Sequence, residues 1–512
     1  MSRGFSIGVV GGGASAVCLI DALARAQGEP GSITVFEPSA NLWRGRAYQT
    51  DTETLKVNAT PDDMSVRAGD HAHFERWLET RDRIVGVRDG VDRWSGARFA
   101  PRTVYGEYLE QSAYAALGDL RRQGWQVHLV GEAVTSATRL TDRVVLRTGA
   151  GRARAFDYVV LCVGGDSPKD VYGLTGAPGF VGDPYPIADK LRTIESRDHV
   201  AIIGSGLTAV DIILSLAAQG HQGKISLLSR RGVLPGVRQK PVPFELRHFT
   251  SERIKSIAEQ RRELTIDDIS AVLRAEFRDS GADLDGVVEE IIRVDLEDPL
   301  DRLRRQIDEV DSPHMGLRIL QRAVPETGPD VWPVLREEEK VQVLRTHYRT
   351  IMSLCCPMPP GSAGVLLELV EESQLAIHPG LQDISAGEDG GFEVLTAMGE
   401  TFVADKVISA VNASEGKIPT SALPLVTTLM RSGAASRHPH GGLHLARATS
   451  RLTVNGRPDP RLYGLGNIAA GSLFFTFGVP SLVDRSMDIV GSILEHAETV
   501  TSARAEAVPV SV

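Results

Sequence analysis

The alternation of apolar and polar stretches at the start of the chain predicts a parallel α/β unit. Residues Phe5 to Val10 form a short apolar run, a glycine triplet occupies positions 11–13, and Ala14 to Ala24 are apolar at helical spacing. A second predicted strand, Ser32 to Phe36, ends at Glu37. Short apolar runs bounded by glycine are typical of buried strands, and a helical period indicates an amphipathic helix. Strand, glycine turn, helix and strand in this order open a parallel α/β unit.

Two further stretches complete this first cycle. Residues Gln126 to Leu146 alternate between apolar and polar, which predicts antiparallel strands. Residues Tyr158 to Val163 are continuously apolar and end at Gly164 and Gly165, which predicts a buried central strand.

A second cycle in the same order begins at Val200. Residues Val200 to Ile203 predict a strand, positions 204–206 a turn with two glycines, Leu207 to Ala218 a helix, and Ile225 to Leu228 the next strand.

The two cycles indicate an internal duplication, because residues 404–412 have the same apolar pattern as residues 156–164. The second cycle is longer, and its additional residues, 244–352, are charged and apolar at helical spacing. We therefore predict a helical insertion or cap there. The last cycle is partial: Arg461 to Leu465 predicts a strand, and Pro480 to Leu494 predicts a helix with proline near its start, where proline is tolerated.

Composition and charge exclude several classes of protein. The 512 residues have a net charge of -10, whereas nucleic-acid and anionic-membrane surfaces need a concentrated basic face. No apolar run approaches the roughly 18 residues of a spanning helix, and because the first ten residues lead directly into an apolar stretch and a glycine cluster, we expect no signal peptide. The four cysteines, Cys18, Cys162, Cys355 and Cys356, lack the spacing of a disulfide framework. We expect a cytoplasmic protein that acts on a small molecule and binds neither nucleic acid nor membrane.

The first glycine turn has the pattern Gly11-x-Gly13-x-x-Ala16. In dinucleotide-binding proteins the first glycine permits a tight turn, the second lets backbone amides approach a pyrophosphate, and the small third residue lets helix and strand pack closely. The helix N-terminus adds positive potential. Glu37, at the end of the second strand, would accept hydrogen bonds from an adenosine ribose and repel a 2′-phosphate. The alternative is a tight turn without a ligand.

The second glycine turn is Gly204-x-Gly206-x-x-Ala209, with Thr208 able to donate to a phosphate. The strand that follows this turn ends in Ser229, Arg230 and Arg231, at the position where the first cycle has Glu37. Arginine can hold a 2′-phosphate with its planar fork of donors, so the nucleotide predicted here is NADPH rather than NADH. A solvated loop is the alternative for the two arginines.

Two such turns in one chain are a more specific sign of dinucleotide binding than either turn alone, because proteins that have both usually bind FAD together with a nicotinamide donor. Gly466 and Asn467 support this prediction, since they follow a predicted buried strand where flavoproteins contact the ribityl phosphate region. The helix after them could direct its positive N-terminus at the flavin pyrimidine. A simple strand-to-helix turn is the alternative.

The predicted fold class is therefore α/β, with two Rossmann-like dinucleotide-binding domains built on parallel sheets with antiparallel β additions, and a helical insertion. The predicted domains are 1–195 for the first part of the FAD-binding domain, 196–243 and 353–412 for the NADPH-binding domain, 244–352 for the insertion or cap, 413–498 for the last part of the FAD-binding domain, and 499–512 for a flexible tail.

A set of short motifs spans most of the chain outside the insertion: GGG at 11–13, FEP at 36–38, RGRAY at 44–48, VN at 57–58, PR at 101–102, YGEYL at 105–109, GSGLTAVD at 204–211 and SRRGVLP at 229–235. Together they resemble the microbial FAD/NAD(P)-binding flavoproteins, a family that includes aspartate N-monooxygenases and is distantly similar to lysine and ornithine N-hydroxylases. The motifs are specific for cofactor binding and do not name a substrate.

The resemblance implies that four residues lie near the flavin: Gly45, Arg46, Tyr48 and Asn58. Asn58 would lie on the face where oxygen reacts and is the candidate catalytic residue, whereas Arg46 and Tyr48 could equally hold their loop together. Near Pro359 and Pro360, relatives often have a His and Arg pair where this chain has residues 355–357, Cys-Cys-Pro. Substrate-pocket residues are therefore not transferred from the family.

The predicted cofactor-binding residues fall into two sets. Those for FAD are Gly11, Gly13, Ser15, Ala16, Glu37, Gly45, Arg46, Tyr48, Asn58, Gly164, Gly466 and Asn467, and those for NADPH are Gly204, Gly206, Thr208, Ser229, Arg230 and Arg231. No metal site is predicted, because His438, His440 and His444 lie in what the sequence indicates is a polar loop.

Two other kinds of flavoenzyme fit the sequence poorly. A disulfide reductase needs a redox cysteine pair against the flavin, usually just after the first turn, and adjacent cysteines such as Cys355 and Cys356 are more often packed or exposed thiols. A Baeyer-Villiger monooxygenase has a Phe-x-Gly-x-x-x-His motif, whereas the motif that begins at Phe180 ends in Pro186.

The function that we predict is an NADPH-dependent FAD monooxygenase that N-hydroxylates a small amine or amino acid with O2 through a C4a-hydroperoxyflavin. One alternative is an NADPH-dependent flavin dehydrogenase or reductase without oxygen transfer, and another is a nucleotide-binding regulatory protein without turnover. An acidic amino acid would need a cationic partner for its carboxylate. The candidates are Arg46, Arg67, Arg102 and Arg238.

Overall fold

The computed structural model describes residues 4–261, 263–388, 390–411, 418–476 and 478–506. The strands are β1 Ser6–Val10, β2 Ser32–Phe36, β3 Gln126–Val130, β4 Val134–Arg139, β5 Val144–Thr148, β6 Ala153–Phe156, β7 Tyr158–Leu161, β8 Phe180–Val181, β9 Val200–Ile203, β10 Ile225–Ser229, β11 Leu375–Pro379, β12 Leu381–Ala386, β13 Phe392–Thr396, β14 Thr401–Ala404, β15 Lys406–Ser409, β16 Arg451–Val454 and β17 Arg457–Gly464.

The α-helices are α1 Ala14–Arg25, α2 His73–Val85, α3 Arg102–Arg122, α4 Ile187–Lys190, α5 Leu207–Ala218, α6 Ser251–Gln260, α7 Ile266–Asp279, α8 Leu284–Leu296, α9 Pro299–Asp308, α10 Gly316–Val334, α11 Glu337–Gln342, α12 Tyr348–Cys355, α13 Pro360–Glu371, α14 Leu423–Arg431, α15 Ala470–Leu473 and α16 Val479–Glu506. Short 3-10 helices lie at Pro61–Met64, Leu191–Thr193, Thr420–Ala422 and Gly466–Ala469, and a π-helical turn at Val343–His347. None of the helices in the described ranges is both long and apolar enough to cross a bilayer.

The two main sheets repeat one topology. The six-stranded sheet has the order β16-β17-β7-β1-β2-β3, and the five-stranded sheet has the order β11-β10-β9-β15-β8. The run β7-β1-β2-β3 is parallel and corresponds strand by strand to the parallel run β15-β9-β10-β11. Each cycle also contributes a three-stranded antiparallel sheet, β4-β5-β6 or β12-β13-β14. The predicted fold class is confirmed.

Helices cover the first sheet because α1 has an almost wholly apolar surface. Its residues from Ala16 to Ala24 are all buried, and α1 packs against both α3 and α16. The small residues at the third position of the two glycine turns, Ala16 and Ala209, are completely buried, which allows each helix to lie close to its sheet. These two alanines therefore serve the packing of the turns.

The segment from 244 to 352 is largely helical and has an apolar core of its own. It contains α6 to α11 and most of α12, and lies between β10 and α13. Its core includes Phe277 and Ile319, together with Phe475 from the last segment of the chain. Because α10 also contacts α15 and α16, the helical segment packs onto the first α/β unit as well as the second.

One strand differs from the sequence prediction. Gln126–Val130 forms β3, which pairs in parallel with β2 at the edge of the six-stranded sheet rather than in an antiparallel arrangement. All five residues of β3 are exposed or half-buried, so this edge strand lacks the continuous apolar run that is typical of a central parallel strand. The antiparallel prediction holds for β4 and β5.

The C-terminal boundary also differs. The helix α16 continues to Glu506, so residues 499–506 are helical and not the predicted flexible tail. The hydroxyls of Thr499 and Thr501 donate to backbone carbonyls four residues earlier, which accommodates threonine within a helix. Residues 507–512 lie outside the described residues, as do positions 412 and 413 of the predicted domain boundary.

Candidate functional site

The first glycine turn joins β1 to α1 and holds Glu37 beside it. Gly11 has a φ of 103°, and a Cβ at this position would lie 2.1 Å from the carbonyl oxygen of Cys162, so only glycine fits. The N–H of Gly12 donates to Glu37 Oε2 at 2.8 Å, and the N–H of Ser39 donates to Oε1 at 2.9 Å. The carboxylate is thus oriented by two backbone donors, and its remaining lone pairs can accept hydrogen bonds from hydroxyl groups.

Distant segments meet at the N-terminus of α1. A Cβ built on Gly13 would lie 3.5 Å from the Cα of Gly45. Gly466 has a φ of 81°, and a Cβ there would lie 2.8 Å from the Oγ of Ser15. The 44–48 loop and the last segment therefore both approach the first turn closely at the N-terminus of α1.

The residues that follow β7 also lie close to the last segment. A Cβ on Gly165 would lie 3.9 Å from Asn467 Nδ2, and Gly164 has a φ of 69° with open space where its Cβ would be. The structure thus brings together residues that the sequence predicted to share one nucleotide. They are Gly11, Gly13, Ser15, Glu37, Gly45, Gly164, Gly466 and Asn467.

The helices of both glycine turns start without a side-chain cap. The N-cap residues are Gly13 for α1 and Gly206 for α5. Four helices of the helical segment instead begin at side chains that accept hydrogen bonds from their first turns: Thr250, Thr265, Asp283 and Asp298. Because no N-cap side chain occupies them, the N-termini of α1 and α5 are suited to an external acceptor such as a phosphate. This donor set fits two dinucleotides.

Arg46 and Tyr48 have clear structural contacts in the 44–48 loop. Both terminal nitrogens of Arg46 donate to the carboxylate of Asp183, at 2.7 and 2.6 Å, which attaches the loop to the segment before α4. The ring of Tyr48 packs edge-on against Tyr105 with centroids 4.6 Å apart, and burial raises the pKa of Tyr48 to about 12. The geometry favours the loop-holding alternative for both residues. Their proximity to a flavin stays a prediction.

Asn58 lies where the two α/β units meet. Its carbonyl oxygen accepts a hydrogen bond from Arg238 Nε at 2.8 Å, so a residue of the second unit contacts the loop of the first. Its side-chain amide forms no hydrogen bond with any residue that the structure describes. An amide at such a junction can donate to and accept from a ligand, which is compatible with the predicted position beside the reacting groups.

The second glycine turn lines a cavity of about 420 Å³. Gly204 has a φ of 111°, and a Cβ there would lie 2.9 Å from the carbonyl oxygen of Ala410, which repeats the relationship of Gly11 to Cys162. Gly206 faces open space. Thr208 lies in the first turn of α5 but is not among the residues that line the cavity.

Three arginines come together at one part of this cavity. Arg230 and Arg231 follow β10, and Arg349 extends from α12 of the helical segment. Burial lowers the pKa of Arg349, and the positive charges of Arg230 and Arg231 lower it further, so the three groups are close in space. Arg231 also forms a half-exposed ion pair with Asp295 at 3.5 Å. The charge of Asp295 offsets only one of the three guanidinium groups, and the remaining positive charge suits a phosphate dianion.

Sequence reasoning identified Arg230 and Arg231 but missed Arg349. No local motif surrounds Arg349, and its position follows from how the helical segment folds back over the second turn. The hydroxyl of Ser229 accepts a hydrogen bond from the N–H of Gly232 at 2.7 Å, so it shapes the loop that holds the arginines. Tyr172 completes the wall, near enough for Arg230 to affect its pKa.

Neither cysteine of the adjacent pair is placed for redox exchange with the other. Cys355 is buried and its Sγ lies 3.7 Å from the carbonyl oxygen of Leu320, whereas Cys356 faces the cavity of the second turn. Both are free thiols. Burial raises the pKa of Cys356 to about 12, so its reactive thiolate form is rare near neutral pH.

The three histidines of the polar loop contact one another. His438 and His444 have ring centroids 4.5 Å apart, and His440 Nε2 lies 2.6 Å from Glu337 Oε1. Burial, with the neighbouring histidines, lowers the pKa of His438 to about 4. Within the described residues, no cluster of three or more His, Cys, Asp or Glu side chains is arranged to hold a metal ion.

Comparisons with known proteins agree with this organisation. Residues 8–166 match a protein family described as FAD-NAD(P)-binding, which agrees with the cofactors predicted from the sequence. No curated protein matches the chain. The family match contains the first glycine turn, Glu37 and the 44–48 loop.

Solved structures resemble the whole chain. Ornithine hydroxylase from Pseudomonas aeruginosa, in its reduced form, has a TM-score of 0.57 at 16% identity and covers 96% of this chain and 99% of its own. Ornithine N-hydroxylase from Kutzneria sp. 744, with reduced FAD, NADP+ and L-ornithine, has a TM-score of 0.54 at 15% identity, with 96% and 100% covered.

A third similar structure is the FAD-bound cadaverine monooxygenase of desferrioxamine biosynthesis from Erwinia amylovora. Its TM-score is 0.54 at 10% identity, and the match covers 96% of this chain and 95% of that one. These likenesses establish that the chain has the two-domain FAD/NADP-binding flavoprotein fold. The finer resemblance to aspartate N-monooxygenases stays a prediction.

Proposed function

We propose that the chain is an FAD-containing, NADPH-dependent monooxygenase that hydroxylates the nitrogen of a small amine or amino acid. The observation that carries the proposal is the pair of uncapped glycine turns, one beside Glu37 and the other beside Arg230, Arg231 and Arg349. A carboxylate suits the ribose hydroxyls of FAD and repels a 2′-phosphate, whereas arginines attract one. The two turns are therefore specialised for different nucleotides.

In this proposal residues 1–195 and 413–498 bind FAD, residues 196–243 and 353–412 bind NADPH, and residues 244–352 cover the site. FAD, when bound, supplies hydride acceptance from NADPH and the activation of O2 for transfer to the substrate nitrogen. The chain supplies binding, orientation and the exclusion of water. This division of labour explains why the sequence shows no acid or base motif.

The residues around the first turn would hold FAD by its adenosine and pyrophosphate. Glu37 is already oriented by two N–H donors and would accept from the ribose hydroxyls. The first-turn amides of α1 would donate to the pyrophosphate, and the glycine backbones at 13, 45 and 466 leave room for it. The last segment would contact the flavin end through Asn467.

The arginines would hold NADPH by its 2′-phosphate, and the helical segment would shield the reacting groups. Since Arg349 belongs to α12, phosphate binding would attach this segment to the second α/β unit. The contacts of α10 with α15 and α16 attach it to the first unit. A site enclosed in this way would exclude water and so limit the side reaction that releases hydrogen peroxide instead of transferring oxygen to the amine.

The structural neighbours support this proposal because enzymes of the same fold act on ornithine and cadaverine, as their names state. One of them is described with reduced FAD, NADP+ and L-ornithine together. They do not separate amino acids from simple diamines as the substrate of this chain.

The decisive experiment compares the fates of NADPH, oxygen and amine in one assay. Purified FAD-loaded protein is given NADPH, oxygen and a panel of amino acids and diamines, and hydroxylamine product and hydrogen peroxide are quantified by mass spectrometry and a peroxidase assay. Hydroxylamine formed in proportion to NADPH oxidised supports the proposal. Peroxide as the sole oxygen product with every amine would instead indicate a reductase, and FAD binding without NADPH turnover a regulatory protein. Either result overturns it.

A further inference from the structure

The outward face of α8 has a stripe of exposed apolar side chains. In the order of the chain they are Val288, Ile291, Ile292 and Leu296. Positions three and four residues apart lie on one side of a helix, so these four side chains are neighbours. Leu296 is 79% exposed, although leucine is among the residues that proteins most often bury. Exposed apolar residues that cluster in this way are typical of a surface that binds a partner.

The opposite face of α8 fixes this orientation. Val287 and Val294 are buried in the core of the helical segment. The carboxylate of Glu290 is held by Arg302 and Arg305, with N–O distances of 3.2 and 2.8 Å. Turning the apolar stripe inward would break this buried group of ion pairs, which is strongly unfavourable. The stripe is therefore a permanent surface of the folded chain.

The uncompensated charges that border the stripe are negative. Asp285 lies in the first turn of α8 and Asp298 two positions after its end, and neither forms an ion pair with a residue that the structure describes. The other two exposed carboxylates of the helix, Glu289 and Asp295, each have an arginine partner, at 2.6 and 3.5 Å. The four apolar residues of the stripe, with Asp285 and Asp298, are named the acidic surface below.

A second exposed apolar cluster lies at the end of α2 and in the loop that follows it. Its residues are Ile84, Val85, Val87 and Val91, and Ile84 is 80% exposed. The charges beside this cluster are positive. Arg83 and Arg88 are both exposed, and neither forms an ion pair within the described ranges. These two arginines and the four apolar residues are named the basic surface below.

The backbone beneath the basic surface is held in place. Gly86 ends α2 with a φ of 77°, and its N–H donates to the carbonyl oxygen of Asp82 at 2.7 Å. Both terminal nitrogens of Arg98 donate to the carboxylate of Asp82, each at 2.8 Å. Arg81 pairs at 3.6 Å with Asp89, the only acidic residue between positions 83 and 91. The loop is therefore attached to α2, and its one negative charge is compensated.

We propose that the acidic surface of one copy of the chain binds the basic surface of a second copy, so that the chain self-associates head to tail. Each surface combines an apolar centre with unpaired charges of one sign, and the two signs are opposite. A second copy always has the complementary surface. An anionic membrane suits the basic surface less well, because the chain as a whole has a net charge of -10. This inference does not depend on the proposed function.

Contact between two different surfaces leaves one surface of each kind free, so the association continues into a closed ring or an open chain. Sedimentation velocity of the full chain with FAD, from about 1 to 100 μM, measures it. We expect the average mass to rise with concentration. Raising NaCl from about 50 to 500 mM should weaken the association several-fold, because salt screens exposed charges.

Two double variants each remove the apolar centre of one surface. I84Q/V87Q changes the basic surface, and I292Q/L296Q changes the acidic surface with a residue that favours helix. Each should raise the dissociation constant on the order of 30-fold or more, which leaves monomers in this concentration range. M398Q is the matched control, since Met398 is 89% exposed outside both surfaces, and should associate as the wild type does.

A mixture of the two double variants tests the head-to-tail arrangement directly. I84Q/V87Q retains the acidic surface and I292Q/L296Q retains the basic one, so an equimolar mixture should form heterodimers although neither variant associates alone. These heterodimers should not grow further, because their remaining surfaces are the substituted ones. A fluorescent label on one variant identifies the heterodimer during sedimentation.

Other results would overturn the inference. A wild type that stays monomeric at about 100 μM would exclude self-association by these surfaces. If I84Q/V87Q associated as the wild type does while I292Q/L296Q did not, α8 would pair with itself, and the reverse result would assign the contact to the basic surface alone. Circular dichroism checks that the variants fold. R83E/R88E is a second test that leaves every apolar residue in place, and it should also prevent association.

A membrane partner gives a different result. Flotation with phosphatidylserine vesicles compares the wild type with I84Q/V87Q. Binding of the wild type to the vesicles, lost in the variant and without self-association in solution, would assign the basic surface to a lipid partner and contradict the inference.

Discussion

The guanidinium of Arg102, at the start of α3, forms an ion pair with the carboxylate of Asp211 on α5, with Nη2 and Oδ2 2.8 Å apart. The hydroxyl of Tyr185 donates to the same oxygen at 2.7 Å, and Arg102 Nε donates to the carbonyl of Lys56 at 3.1 Å. The side chains of Arg102 and Asp211 are only 15% and 7% exposed. This network joins the first α/β unit to the second.

We expect R102A to destabilise the protein by about 3 kcal/mol, since it leaves Asp211 as a buried charge without compensation. Burial already raises the pKa of Asp211, and the charge of Arg102 opposes this effect. Urea denaturation followed by circular dichroism measures the loss. R192A, at an exposed arginine, should change stability by less than about 0.5 kcal/mol. Equal urea midpoints for R102A and R192A would show that the buried ion pair does not stabilise the junction between the two α/β units.

The three arginines of the second turn should set the choice between NADPH and NADH. Alanine at Arg230, Arg231 or Arg349 removes charge-assisted hydrogen bonds to the 2′-phosphate, each worth about 1.5–3 kcal/mol, so KM for NADPH should rise about 10- to 100-fold. KM for NADH should stay almost unchanged. The control is R345A, because Arg345 is exposed in the same helical segment. If a variant raised KM for NADPH and for NADH by the same factor, the replaced arginine would not bind the 2′-phosphate. This comparison matters most for Arg349, which the sequence did not predict.

Replacement of Glu37 should weaken FAD rather than NADPH. E37A removes the acceptor for the ribose hydroxyls and also frees the N–H of Gly12, so the dissociation constant of FAD should rise on the order of 10-fold or more. Recovery of flavin fluorescence on dilution measures it. E29A changes an exposed glutamate and is the matched control. Unchanged FAD affinity with weaker NADPH binding would reverse the assignment of the two turns.

His438 should make the protein less stable in mild acid. Its pKa is lowered to about 4 from an ordinary value near 6.5, so between these values the unfolded chain binds a proton that the folded chain does not. Stability from this group is complete above pH 6.5 and is lost as the pH falls toward 4.

The H438Q variant should therefore flatten the dependence of unfolding free energy on pH in this window. Since the ring is partly exposed, the difference should be no more than about 2 kcal/mol. H71Q, at an exposed histidine, should keep the wild-type slope. Identical slopes for H438Q and the wild type would exclude His438 as the source.

The sequence alone predicted the elements whose signals are local. Ser32–Phe36, Val200–Ile203 and Leu207–Ala218 have the predicted bounds, because buried parallel strands are rich in apolar residues and the glycine turn at 204–206 separates the second of these elements from the third. The glycines at 11 and 204 were identifiable for a similar reason, since their backbone conformations admit no other residue. Local signals were therefore sufficient for the fold class and for the two glycine turns.

Features that depend on partners far along the chain were determined only by the tertiary structure. The pattern of polar and apolar residues in β3 does not reveal that this strand pairs in parallel with β2 at the edge of the sheet. The composition of residues 499–506 does not reveal that α16 continues through them. Arg349 joins Arg230 only because the helical segment folds over the second turn. Arg46, Arg67, Arg102 and Arg238 are equivalent as sequence. Only their spatial neighbours show that the first three form ion pairs with carboxylates whereas Arg238 donates to the backbone carbonyl of Asn58, because charge pairing depends on distance in space.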